Sequence, residues 1–291
     1  MSTAVMQEAQ PVKGALWMVG AILSFSTMAI GGREVVGHLD TFELMLYRSI
    51  FGLVTVLTIA FFAGTLHHIT TRKLHLQIAR NISHFTGQNL WFYAIGVAPL
   101  AQVVALEFTT PLWVILLAPL VLGEALTRSR ATAALVGFMG ILLVARPGVN
   151  EVSIGVICAA GSAIGFAGSA IFTKILTRTE RITCILFYLT LTQTIFGLLC
   201  AGFDGDIAPL TGDMLPWVML VGATGLCAHF CLTKALSLAP AAVVMPVDFA
   251  RLPVVALIGM ALYGEQVDVW VITGAALIFG ANYLNILKET R

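Results

Sequence analysis

The chain states its pattern twice, 141 residues apart, with no gap needed in either copy. At that offset Gly14 falls on Gly155, Gly20 on Gly161, Phe25 on Phe166, Tyr47 on Tyr188 and Gly64 on Gly205. Further along, Ala98-Pro99 falls on Ala239-Pro240, Phe108 on Phe249, Gly123-Glu124 on Gly264-Glu265, Thr132 on Thr273 and Phe138 on Phe279. Each copy holds five long apolar stretches. Because five is odd, the second copy must enter a membrane from the side opposite the first. A duplication of that kind places a binding site between the halves, near the bilayer midplane.

Of the 291 residues, 58% are hydrophobic and 11% charged, with a mean hydropathy of +0.94. A soluble domain carries about a quarter charged residues. Here the charges cluster and leave apolar runs of about 20 residues, the length that crosses a hydrocarbon core. The sequence therefore predicts an all-α integral membrane fold: ten transmembrane helices in two inverted five-helix repeats, residues 1–147 and 148–291. The spans are expected near 13–31, 41–63, 75–97, 100–121, 128–146, 153–174, 182–202, 214–236, 240–262 and 267–287. The short polar start, Met1 to Val12, leads into a stretch too long for a signal-peptide core and reads as an uncleaved first span.

Charge asymmetry orients the threading, because positive residues collect on the cytoplasmic side. With the N-terminus inside, Lys13, Arg72, Lys73, Arg80, Arg128, Arg130, Lys174, Arg178, Arg181, Lys234, Lys288 and Arg291 fall inside. Only Arg33 and Arg146 fall outside, and the outer loops instead hold Asp40, Glu151, Asp204, Asp206, Asp213, Glu265 and Asp268. Both termini are expected in the cytoplasm and the protein in the cell inner membrane. A net charge of +1 and the absence of long basic runs give no nucleic-acid footprint. The five cysteines fall in or beside spans of the second half and read as packing residues, with no metal site and no cofactor expected.

Ionisable groups inside a span are costly, so each needs a reason. Span 3 carries Asn81, His84 and Gln88 on one face, with Trp91 one turn further on. Span 2 carries Glu43 near its end, read as snorkelling, and Arg48 roughly 10 Å deep. Span 4 carries Glu107, span 8 His229, and span 9 Asp248 with Arg251 one turn later, at ion-pair spacing. The offset relates Glu107 to Asp248 and Gln88 to His229. Counting from span ends, Gln88 and Glu107 lie in the outer third and His229 and Asp248 in the inner third, which predicts two separate polar clusters lining or gating a path. Phe25, Phe85, Trp91, Phe92, Tyr93, Phe108, Trp113, Phe166, Tyr188, Phe230 and Phe249 offer aromatic walls, with Trp113 the first choice for substrate contact. Glu107, Asp248, His84 and His229 are the candidate carriers if protons are the coupling ion.

The stretch Ala94 to Gly148, and its repeat Ala235 to Glu289, resemble the EamA-domain family of the drug/metabolite transporter superfamily. The shared features are Ala-Pro at a helical hairpin, a proline-bearing helix, Gly-Glu at its end and a glycine-rich last helix. Glu43 to Leu53 with Arg48 is similar to the family's second helix. The resemblance implies two inverted five-helix halves and transport by alternating access without ATP. It supplies no substrate motif. Family members include amino-acid exporters, so export of amino acids, aromatic or otherwise neutral, is the first functional expectation. The alternative is an importer or exchanger of a larger metabolite such as S-adenosylmethionine or a nucleotide sugar. An intramembrane enzyme is disfavoured, since no His-Glu-x-x-His or Gly-x-Ser-x-Gly pattern is present.

Overall fold

A computed structural model describes residues 10–122, 128–146, 153–203, 205–238, 247–248, 250–266 and 268–289. Gly123, Glu124, Glu151, Asp204, Ala239, Pro240, Phe249 and Arg291, singled out above, lie outside the described residues. The described chain is helical: α1 (Pro11–Val35), α2 (Thr41–Phe62), α3 (Leu74–Val97), α4 (Leu100–Glu107), α5 (Thr110–Leu122) and α6 (Arg128–Ala145). There follow α7 (Ile154–Leu176), α8 (Ile182–Ala201), α9 (Leu215–Leu238), α10 (Arg251–Tyr263) and α11 (Val269–Glu289).

The duplication is visible in the helix ends. Shifted by 141 residues, α3 lands on α9 and α5 on α10 residue for residue. Gly64 and Gly205, paired by the offset, follow α2 and α8 with φ of 65° and 82°, where a side chain would be strained. Neither half packs alone. The most extensive contacts run between halves: α1 along α9, α3 along α7, α2 along α8 and α6 along α11.

Among the described residues five helices, α1, α2, α7, α8 and α9, are long and apolar enough to cross a membrane. The surface agrees with a lipid solvent: Phe203 is 93% exposed and Phe62 82%, whereas Asn81 is fully buried. α3 is long enough to span but is not among the five, because its inner face carries Gln77, Arg80, Asn81, His84, Gln88 and Asn89, all buried.

The expected fourth span is broken between α4 and α5. Pro111 has no N–H for the carbonyl of Glu107, and the Thr110 hydroxyl donates to that oxygen instead, at 2.7 Å. Thr109 donates its hydroxyl to the Leu106 carbonyl at 2.7 Å. The Thr110 hydroxyl thus satisfies the carbonyl that the proline frees inside an apolar region.

Two sequence readings change. Glu43 does not snorkel: it is buried, closes a capping box with Asp40, and accepts a 2.6 Å hydrogen bond from the Ala208 amide. The capping box fixes its backbone near the helix start, so its carboxylate reaches across to the loop after α8 rather than out to water. Arg80 is not a loop cation but a buried one, donating to Thr173 at 3.2 Å and to Asn81 at 2.7 Å.

One end of the bundle is tied by ion pairs. Glu265 pairs with Arg33 and also accepts from the Leu100 amide at 2.9 Å, while Arg146 pairs with Asp268. The Arg33 guanidinium lies over the Tyr263 ring at 4.7 Å, and the Tyr263 hydroxyl donates to Glu34 at 3.1 Å.

Close helix approach rests on glycine. A Cβ at Gly165 of α7 would meet the Gly87 backbone at 2.7 Å and the Ser83 carbonyl at 2.8 Å, whereas one at Gly280 would meet nothing within 4 Å. Gly165→Ala is therefore expected to destabilise the protein by about 1–3 kcal/mol, the usual cost of overpacking. Gly280→Ala should leave stability unchanged or slightly raised, since alanine is the better helix former. Thermal unfolding of the purified variants in detergent measures both.

Candidate functional site

Two polar clusters occupy the core between the halves, and they divide by charge rather than by depth. The first is built on Arg251, 3% exposed at the start of α10. Its guanidinium donates to both carboxylate oxygens of Glu107, at 2.8 and 3.2 Å, and to Asp248 at 3.0 Å. Trp91 donates its indole N–H to Glu107 at 2.9 Å, and Arg251 faces the rings of Phe25 and Phe108 at 5.1 and 5.2 Å. The cluster thus sets two carboxyl groups against a single guanidinium.

The expectation of Glu107 and Asp248 in separate layers is therefore corrected: they share one cation. The reason lies in helix geometry. Glu107 ends a helix of eight residues, and the long side chain of Arg251, at i+3 from Asp248, reaches across from the other half to meet it.

The second cluster is cationic. α3 presents Arg80, His84 and Gln88 at four-residue spacing, so they share one face, and α2 contributes Arg48. With its amide oxygen turned towards Arg48, Gln88 accepts from that guanidinium at 2.9 Å and donates to Gln193 of α8 at 2.7 Å. His84 meets His229 of α9 edge to face, with ring centres 4.9 Å apart. Both imidazoles lie within electrostatic reach of Arg48 and Arg80. The Nε2 atom of His84 is buried without a hydrogen-bond partner. Arg48, Ser49, Gln193 and His229 line a narrow cavity of about 10 Å³, room for about one water.

Aromatic rings join the clusters. Phe25 touches His229 on one side, at 5.7 Å, and Arg251 on the other. Phe92 lies under Arg48 at 5.7 Å and packs at 5.1 Å on Trp91, which holds Glu107.

Of the residues singled out in the sequence, Glu107, Asp248 and Arg251 are brought into one cluster and Arg48, His84, Gln88 and His229 into the other. Trp113 is not. It lines a separate apolar pocket between α5 and α6 with Leu112, Leu116, Leu135 and Phe138. The break after Phe108 resets the helical phase, so a turn count from Glu107 does not carry through to it. Tyr93 and Phe230 point outward, 39% and 42% exposed. Arg80 and Gln193 were missed. Arg80 had a legible signal, the four-residue spacing to His84; Gln193 had none, as an isolated amide in an apolar helix.

The profile of the EamA-like transporter family matches the chain twice, over residues 12–146 and 153–287. A protein named S-adenosylmethionine uptake transporter in Rickettsia felis is 24% identical over 278 residues, covering 96% of this chain and 94% of that one. A protein named riboflavin transporter in Brucella anthropi is 31% identical over 240 residues, covering 81% and 84%. Another riboflavin transporter, from Vibrio cholerae, is 27% identical over 274 residues, covering 92% and 91%. A crystal structure of 18% sequence identity superimposes with a TM-score of 0.67 over 96% of this chain and 98% of that one, a likeness of fold.

Removing Arg251 leaves two carboxylates facing each other out of water. Arg251→Met should destabilise the protein by about 3–5 kcal/mol, the range for an orphaned buried charge. Adding Glu107→Gln and Asp248→Asn to that variant should recover most of the loss, because no uncompensated charge then remains. Melting curves of the single and triple variants report this; equal melting temperatures in the two would mean the network carries no electrostatic load.

Proposed function

The chain belongs to the EamA-like transporter family, and from that premise we propose that it is a secondary transporter taking up a small, ring-bearing metabolite across the bacterial inner membrane. The observation that carries this reading is the buried polar core: charged groups supplied by both halves, linked by aromatic rings, inside a molecule whose surface is apolar. A purely structural membrane protein has no need of such a core, and ionisable residues at membrane depth mark transport paths.

In this reading ten spans form two inverted repeats, 1–147 and 148–291, with both termini in the cytoplasm. The coincident helix ends and the cross-packing of α1 on α9 and α3 on α7 support it. The halves then exchange roles as they rock about the shared core. The end tied by Arg33–Glu265 and Arg146–Asp268 is the outer face in the charge-based threading.

The expectation of amino-acid export finds no support among the relatives, whose names are those of S-adenosylmethionine uptake and riboflavin transporters. Uptake of a larger metabolite is the reading they favour. Phe25, partly buried between His229 and Arg251, offers a stacking surface for a purine or an isoalloxazine ring.

Reconstitution into proteoliposomes with radiolabelled S-adenosylmethionine and riboflavin tests the function. Time-dependent accumulation of at least one is expected, and it should fall at least tenfold in Glu107→Gln and in Asp248→Asn while both variants remain folded. The swaps keep volume and most hydrogen bonds, so they isolate the charge. Undiminished flux in both variants would return the acidic cluster to packing.

A further inference from the structure

The cationic cluster holds an imbalance that the fold does not resolve. Arg33, Arg146 and Arg251 each have a carboxylate partner. Arg48 and Arg80, 7% and 4% exposed, have none among the described residues. Arg80 is satisfied by neutral oxygens of Thr173 and Asn81. Arg48 has the Gln88 amide and a 3.9 Å contact to the Met45 sulfur, and it faces the small cavity it shares with Gln193 and His229. Two guanidiniums taken out of water without a counter-ion cost several kcal/mol each. His84 stands between them with an unpartnered buried nitrogen.

We propose that Arg48, with Arg80, Gln193 and the His84–His229 pair around it, receives an anionic oxygen group of the substrate, a carboxylate or a phosphate. This deepens the transport reading and rests on it: it says which class of metabolite the path selects. The guanidinium fork matches such a group in a bidentate pair, and Gln88 and Gln193 hold that fork in place. The Arg251 cluster cannot serve as the anion site, because its guanidinium is already shared by two carboxylates. Among the described residues Arg48 has no carboxylate beside it whereas Arg251 has two, and Phe92 and Phe25 stand between the clusters, so the substrate's anionic group is directed to Arg48 and away from Glu107 and Asp248.

The test uses the full chain in proteoliposomes and two matched pairs of probes. S-adenosylmethionine is set against its decarboxylated form, and flavin mononucleotide against riboflavin. The wild-type protein is expected to transport the carboxylate- or phosphate-bearing member of one pair at least tenfold faster than its partner. Arg48→Gln should shrink that preference to within about twofold, and Arg48→Lys should retain part of it. Equal transport of both members, preference for the one lacking the carboxylate or phosphate, or a preference that survives Arg48→Gln would overturn the assignment. Transport of neither pair would contradict the function proposed above, and the inference is then decided by stability. An unpaired guanidinium kept for a ligand burdens the empty protein, so ligand-free Arg48→Met should melt at or above the wild-type temperature. A fall of more than about 5 °C would make Arg48 a packing residue.

Discussion

The guanidinium of Arg251 is held by carboxylates from both halves of the chain, Glu107 from the first and Asp248 from the second. Much of the structure follows from the need to keep that charge compensated out of water. The helix carrying Glu107 stops at the carboxylate, and the Thr110 hydroxyl caps the carbonyl that the Pro111 break frees. Trp91 fixes the second carboxylate oxygen from α3, and Phe25 and Phe108 cover the faces of the guanidinium. One ion network thereby joins α1, α3, α4 and α10, helices of both halves.

Around that network the halves interleave, because each long helix finds its principal partner in the other copy. Glycines set the distances: Gly140 and Gly274 leave α6 and α11 room to cross, and a Cβ at either would meet the other's carbonyl within 2.8 Å. The ion pairs gather where helix ends meet, so the bundle is tied at one face through Arg33, Glu265, Arg146 and Asp268. Ties made of charged pairs at a half-exposed rim are weak compared with apolar packing. That is the property a face needs if it is to part during a transport cycle.

The fold was legible in the sequence to the extent that it follows from apolar length and repetition. Expected spans 2, 3, 5, 6, 7 and 8 agree with observed helices within a few residues. The fourth is the proline-bearing helix, and at Pro111 the expected bend is a full break between α4 and α5. The site was legible residue by residue but not as an arrangement. Glu107, Asp248 and Arg251 stand out because charge is rare in such segments, yet counting depth along each span separated groups that one arginine joins. Gln193 carried no signal, since a lone amide in an apolar helix looks like any other. Arg80 looked like a loop charge because it sits one turn and a half from a predicted span end, a distance over which a long side chain can turn either way.

In the transport cycle proposed above, the tied face must open around the polar core. Cysteines placed at Arg33 and Glu265, in a variant whose five native cysteines are replaced, can be joined by a short reducible cross-linker in proteoliposomes. Flux measured before cross-linking, after it, and after reduction decides the point. The account predicts that the joined protein carries no substrate and that reduction restores transport. Flux unchanged in fully cross-linked protein would contradict it.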